Sequence, residues 1–245
     1  MIRSLLFSLV FYLNTALFLV VGSPLLLGPR SWAMAGLRAH AISSLWWQRL
    51  IVGTRLEVRG RGNLPAGPCL VASKHQSAWD TFALIPLFRD PAIVMKAELG
   101  LIPIYGWFSY KFQHILVRRQ RGSSALRRML RDAKARAVQR REIVIFPEGT
   151  RRAPGAPADD KGGIAALYDG LDLPCVPIAL NSGLFWPRRS LARYSGTIVV
   201  EIMAPIPPGL KRADFMKQLE SSIESASQRL IDEARVANGR LIQRG

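Results

Sequence analysis

The chain has 245 residues, 49% of them apolar, which is enough to bury a core in one domain and excludes a disordered tail. Its net charge of +17, with Arg far outnumbering Lys, calls for an anionic partner: nucleic acid, a membrane surface or an anionic substrate. The two cysteines, Cys69 and Cys175, sit in apolar runs with neither metal-ligand spacing nor a disulfide framework, as in a reducing compartment.

Leu5 to Val21 is an almost unbroken apolar run, interrupted mainly by Asn14 and Thr15 and broken by Ser23-Pro24. About 20 apolar residues span a bilayer, so an uncleaved membrane anchor is expected. The rival is a signal peptide cut near Ala33-Met34-Ala35. Its apolar region would exceed the roughly 7–15 residues usual for such segments. Arg30, Arg38, Arg49, Arg55, Arg59 and Arg61 follow the run and only Arg3 precedes it. The positive-inside bias then predicts an inner (cytoplasmic) membrane location with the active domain on the cytoplasmic side. Trp32 to Gly53 reads as a second helix, with Trp46 and Trp47 placed as interfacial anchors and His40 at the surface. An ordinary domain helix remains the alternative. Residues 1–53 are therefore read as membrane-anchoring helices and 54–245 as the globular domain.

Leu56 to Arg59 is an expected strand, followed by a Gly/Pro-rich turn through Pro68. Cys69 to Ser73 is a second, apolar and small, and His75-Gln76-Ser77-Ala78-Trp79-Asp80 follows before an apolar helix start at Thr81 to Phe88. Five residues rotate an ideal helix by about 500°, leaving two side chains about 140° apart. His75 and Asp80 meet only if His75 lies in the strand-to-helix turn and Asp80 on the first helical turn. So placed, the histidine is a general base and the aspartate orients it and stabilises its charged form. The alternative is a capping Asp and a packed core His.

Further strands are expected at Ala92–Lys96 and His114–Arg118, with a structural His114. Between them Tyr105, Trp107, Phe108, Tyr110 and Phe112 could pack or line a lipid entrance. Ser123 to Arg141 reads as a helix with Leu126, Met129, Leu130, Ala133 and Ala137 on one face. Arg118 to Arg141 holds ten basic residues and one acid, Asp132. That is either a solvated face or a contact for anionic headgroups, worth about 1 kcal/mol per Lys or Arg near the surface.

Ile143 to Phe146 is a buried strand, and Pro147-Glu148-Gly149-Thr150-Arg151 follows at once. Pro147 ends the strand and Gly149 permits close backbone approach. Arg151 suits a phosphate, which a guanidinium grips with two bonds. A base on one loop and a phosphate clamp on another suggest acyl transfer to a hydroxyl of a phosphorylated acceptor. Lys161-Gly162-Gly163 opens the next helix, whose N-terminus attracts phosphate. Strands at Cys175–Leu180 and Thr197–Ile202 and a C-terminal helix complete the chain. Strands alternating with helices predict an α/β domain with a mixed, largely parallel sheet.

The sequence resembles the glycerolipid acyltransferases typified by lysophosphatidic acid acyltransferase. His75 to Asp80 is similar to that family's HX4D motif, and Lys96-Ala97-Glu98-Leu99 through Pro103 and Gly106 to its second. Phe146-Pro147-Glu148-Gly149-Thr150-Arg151 matches the third and Cys175-Val176-Pro177-Ile178-Ala179-Leu180 the fourth. All four occur in the family's order over roughly residues 57 to 205. Two departures are Lys74, where many members carry Asn, and Arg118-Arg119, where an acid is common.

The resemblance implies transfer of a fatty acyl group from acyl carrier protein or coenzyme A to the free hydroxyl of lysophosphatidic acid. It makes His75 the base and Asp80 its orienting partner. Arg151 would hold the acceptor phosphate, with Lys96 and Lys161 as weaker candidates and Glu148, Gly149 and Thr150 shaping the pocket. Backbone amides near Ile178 are the candidate oxyanion donors. No metal or bound organic cofactor is implied, and no nucleic acid; membrane lipids are the expected partner. An acyltransferase for another lyso-lipid, such as lyso-ornithine lipid, and a non-catalytic basic membrane- or nucleic-acid-binding protein are the rivals.

Overall fold

The structure is a computed structural model that describes residues 1–118, 122–160 and 162–238. The chain runs through α1 (Ile2–Val21), α2 (Arg30–Ile51), β1 (Thr54–Arg59), β2 (Leu70–Ser73), α3 (Asp80–Ala83), β3 (Ala92–Lys96), α4 (Tyr105–Lys111) and β4 (Ile115–Val117). It continues through α5 (Gly122–Val138), β5 (Ile143–Ile145), α6 (Gly163–Leu171), β6 (Cys175–Leu180), α7 (Ser182–Phe185), β7 (Gly196–Ile202) and α8 (Arg212–Asn238). Among the described residues, seven strands form one sheet in the order β1-β7-β6-β2-β5-β3-β4.

The sheet is mixed and mostly parallel, as its sequence suggests. β2 pairs in parallel with β5 and β6, and β3 with β5 and β4, whereas β6 and β7 are antiparallel. Every residue of β2, β5 and β6 is buried, because helices cover both faces of these central strands. Successive side chains go to opposite faces. Val71, Val144, Val176 and Ile178 join Trp79, Phe82 and Phe185 on one face. Leu70, Ala72, Ile143, Ile145 and Cys175 meet Ile164, Leu167, Phe215 and Leu219 on the other. Since β2, β3, β4, β5 and β6 run the same way, the loops leaving their carboxyl ends share one edge of the sheet, where open α/β folds place their ligands.

The N-terminal helices share this core. Phe7 and Ala41 are fully buried in the cluster that holds Trp79 and Phe82. Phe7 meets Trp186 edge-on at 5.4 Å and Phe11 meets Phe82 at 5.3 Å. Asn14 donates to Ser43 and Ser44 of α2 at 3.0 Å each, which satisfies the polar break in the apolar run. Leu5, Leu6, Leu9, Leu13 and Leu17 on the other face of α1 stay exposed. α1 is the helix among the described residues long and apolar enough to cross a membrane. α2 closes on Gly53, whose φ of +86° lets its N–H reach back to Gln48 and Arg49.

Several expectations need correction. The apolar stretch after Asp80 is not one helix: α3 is a single turn, followed by a tighter 3-10 turn at Ile85–Leu87. Pro86 has no N–H to continue an α-helical ladder. Trp46 is exposed, but Trp47 is half-buried against the core and not free at the surface. His40 is not a surface residue either. It lies 3.0 Å from Thr15 Oγ1 among the rings of Phe11, Phe18 and Phe82. Phe108 and Phe112 stack on each other and pack against α2, whereas Trp107 and Tyr110 remain exposed.

The basic helix ends early. α5 stops at Val138, Arg140 takes a φ of +60°, and Arg141 turns inward. Arg141 is fully buried. Its guanidinium donates to the carbonyls of Asp90 (3.2 Å), Pro91 (3.0 Å) and Phe112 (2.9 Å) and pairs with the Asp90 carboxylate. Burial lowers its pKa to about 10 despite Asp90. This arginine ties the start of β3 to the end of α4 and belongs to no headgroup-facing surface. Arg119, also counted in that basic run, lies outside the described residues.

Candidate active site

β2 ends at Ser73, and the chain turns through Lys74 to Trp79 before α3 begins at Asp80. His75 therefore lies in the strand-to-helix turn and Asp80 on the first helical turn, the one arrangement that lets the pair meet. His75 Nδ1 lies 3.0 Å from Asp80 Oδ2. The same oxygen accepts the Gln76 and Ser77 amides at 2.8 and 2.9 Å, and Oδ1 accepts the Ser182 hydroxyl at 2.6 Å. Asp80 is buried and acts throughout as an acceptor, so His75 Nδ1 carries its proton toward it. The lone pair of Nε2 is then left for a substrate. The imidazole stacks on Phe146, the first residue after β5, with centroids 4.2 Å apart. At 12% side-chain exposure it keeps an open edge.

The loop after β5 comes down beside this turn. Gly149 adopts a φ of +65°, open to glycine at little cost, and its N–H closes the turn onto the Phe146 carbonyl at 2.9 Å. Glu148 is buried, with both carboxylate oxygens engaged. One oxygen accepts Lys74 Nζ at 2.8 Å and the other the His75 amide at 3.4 Å. The Arg152 amide donates to the His75 carbonyl at 2.8 Å. The loop thus holds His75 by both sides of its peptide backbone, a role its acceptor–hydroxyl–guanidinium pattern did not reveal.

Thr150 and Arg151 are exposed, and the Arg151 guanidinium has no partner among the described residues. Arg188 donates to the Arg151 carbonyl at 2.7 Å and so brings a second guanidinium to the same loop. Lys96 is exposed at the end of β3, two strands from β2. Lys161 lies outside the described residues. Ile178 is buried inside the sheet, paired to Ser73 on one side and Ile202 on the other, and its carbonyl accepts the Lys74 amide.

Neither Cys69, the thiol nearest His75 in sequence, nor Ser77, the hydroxyl between His75 and Asp80, is poised as a nucleophile. Burial and the nearby Glu142 charge push the Cys69 thiol up to about 12, and burial raises Cys175 as well. Ser77 Oγ accepts the Trp79 amide at 3.1 Å and steadies the turn ahead of α3.

Sequence reasoning missed Ser182, Glu224, Arg188 and the role of Lys74. Ser182 and Glu224 arrive through tertiary packing from 102 and 150 residues away, with no local signal. Lys74 carried one: a lysine set directly after a buried strand requires a buried counter-charge.

Fold and site together describe an α/β protein with a His–Asp pair at the carboxyl edge of its sheet. The acyltransferase family model matches residues 55–181, more than half of the chain. The chain belongs to the acyltransferase family. It is 38% identical over 159 residues to a 1-acyl-sn-glycerol-3-phosphate acyltransferase of Pseudomonas aeruginosa, covering 65% of this chain and 62% of the relative. A lyso-ornithine lipid O-acyltransferase of the same organism is 29% identical over 201 residues, covering 74% and 76%. The crystal structure of the 1-acyl-sn-glycerophosphate (LPA) acyltransferase PlsC from Thermotoga maritima superposes with a TM-score of 0.77 at 20% identity, over 94% of this chain and 97% of that one. The chain spans about three-fifths of the length of several of the 1-acylglycerol-3-phosphate acyltransferases it matches.

Proposed function

We propose that this chain is a 1-acylglycerol-3-phosphate O-acyltransferase, moving a fatty acyl group from a thioester of acyl carrier protein or coenzyme A to lysophosphatidic acid. The observation that carries the reading is the His75–Asp80 pair, oriented so that Nε2 faces outward. Nε2 takes the proton of the acceptor hydroxyl as its oxygen attacks the thioester carbonyl. Collapse of the tetrahedral intermediate breaks the C–S bond, and the proton passes to the departing thiolate. Asp80 stabilises the imidazolium between these steps. Arg151, exposed and unpaired among the described residues, holds the acceptor phosphate, with Arg188 beside it. Lys96 and Lys161 are weaker candidates for that phosphate, and Gly149 and Thr150 shape the loop that carries Arg151.

The exposed face of α1 lies against the bilayer while its other face lies on the domain. Exposed Trp107 and Tyr110 point to a further contact at the interface, where such rings settle. We place the active domain at the cytoplasmic face, from the arginines that follow α1. The second reading, a lyso-ornithine lipid acceptor, is favoured by the relative whose match covers more of both chains.

The test is an assay of the purified protein with both thioester donors and both acceptors side by side. Release of thiol with lysophosphatidic acid, abolished in folded His75→Ala, supports the proposal. Turnover confined to lyso-ornithine lipid would replace the acceptor, and turnover by folded His75→Ala would remove the mechanism.

A further inference from the structure

Lys74 is 2% exposed, yet it carries a charge at the centre of the catalytic turn. Its ammonium donates to Glu148 Oε1 at 2.8 Å and to Glu224 Oε1 on α8 at 2.5 Å. Burial works against the charge, but the hydrogen bonds to the two carboxylates outweigh it and raise Lys74 above the usual lysine range. Glu148 passes the contact on, since its second oxygen accepts the His75 amide. A continuous chain therefore runs from α8 through Glu224, Lys74 and Glu148 to the peptide of His75. The other constraints on this turn, Asp80, Ser182 and the Arg152 amide, come from α3, α7 and the loop after β5. The Lys74 chain reaches the C-terminal helix through a side-chain ion pair, at Glu224.

We propose that Lys74 is a positioning residue for His75, fixing the imidazole against Asp80 by binding the motif loop and α8 to the same buried charge. The proposal rests on the reading of His75 as the base. Without the ammonium, the buried Glu148 loses its counter-charge while Glu224 stays beside it, and Glu148 has reason to move off the His75 amide. Displacement of a catalytic group by about 1 Å costs on the order of 100-fold in rate, so a small shift is enough to be read. A lysine serving stability alone would change how much protein folds, not the turnover of each folded molecule.

Three variants of the full chain test this. Lys74→Met keeps length and removes the charge. Glu224→Gln, at a partly exposed position on α8, cuts the tie to the helix and leaves the Lys74–Glu148 pair. Lys74→Arg restores a cation, and it has room: Lys74, Gln76 and Glu224 line a cavity of about 330 Å³ with the Gly155–Ala158 loop. Each is measured for kcat, for KM of the acceptor, and for the ¹⁵N resonances of the His75 ring, assigned by comparison with His75→Ala. The expected result is a fall in kcat on the order of 10- to 100-fold for folded Lys74→Met. Glu224→Gln falls less, Lys74→Arg recovers most of the rate, and acceptor KM stays within about twofold, as for a group acting only on the chemical step. The His75 resonances move in step with kcat. Wild-type ring resonances in folded Lys74→Met overturn the proposal. Moved resonances with unchanged turnover uphold the placement and count instead against His75 as the base.

Discussion

Replacing Asp80 by Asn isolates the charge at the site from its geometry. An amide oxygen in the place of Oδ2 still accepts His75 Nδ1–H and the Gln76 and Ser77 amides, and the amide NH2 faces Ser182 Oγ, whose hydroxyl rotates to accept. What disappears is the negative charge that stabilises an imidazolium 3.0 Å away. At an effective dielectric of about 20, a pair at that separation is worth about 5.5 kcal/mol, which bounds the loss at about 10⁴-fold. General-base catalysis as a whole contributes roughly 10²–10⁴-fold, so kcat should fall within that range. Acceptor KM and melting temperature should change little. The assay is thiol release by purified Asp80→Asn with lysophosphatidic acid and a thioester donor, with circular dichroism to confirm the fold. A folded variant turning over within tenfold of wild type would refute the pair as base and orienter.

Arg151→Lys keeps the charge and loses the two-pronged grip, so KM for lysophosphatidic acid should rise more than KM for the donor; the reverse assigns the residue to the donor side. Ser77→Ala and Cys69→Ser should each keep appreciable activity, and labelled donor alone should leave no label on denatured protein, because the Cys69 thiol is pushed up to about 12 and Ser77 already bonds the Trp79 amide. A stoichiometric label at either residue, discharged by acceptor, would show an acyl-enzyme. Asp160, raised to about 6 by burial and by Glu148 against the pull of Lys74, is protonated more readily folded than unfolded. Its charge therefore costs stability above pH 6, so Asp160→Asn should raise the melting temperature at pH 7–8, with the gain gone below about pH 4. A spin label at Trp107→Cys, in protein reconstituted into bilayers, should sit at lipid depth while one at exposed Val236 stays in water; a water-exposed label at 107 ends the interfacial reading of α4.

The strands were readable because β2, β5 and β6 are buried on both faces and so appear as short unbroken apolar runs. Their order was not, since nothing local in Thr197–Ile202 says that β7 lies antiparallel to β6 and carries β1 at the sheet's edge. His75 and Asp80 were readable because their spacing closes only across a strand-to-helix turn. Glu148 looked like a pocket acceptor because a motif records residue types and not which way they face. Arg141 was counted with a basic face for the same reason: a charge count does not distinguish a guanidinium in water from one holding three buried carbonyls.

The N-terminal hairpin shows how far composition alone can mislead about architecture. An apolar helix looks the same whether its partner is lipid or protein, and α1 packs one face on the domain and leaves leucines of the other exposed. Its inner face supplies Phe7 and Phe11 to Trp186 and Phe82, and α2 supplies Gln48, whose Oε1 accepts the Trp79 indole at 2.8 Å. Trp79 immediately precedes Asp80, and Phe82 lies on the helix that Asp80 opens. The elements proposed to meet the membrane therefore pack directly behind the turn that holds the His–Asp pair. On the proposed function, a lipid acceptor whose hydroxyl sits near the bilayer surface need not leave it to reach His75, because the helices proposed to face the bilayer and the proposed base are built on one core. A tethered domain on a flexible linker would meet the same acceptor in varying orientations. Here the orientation is fixed by the side chains that also fix the catalytic turn.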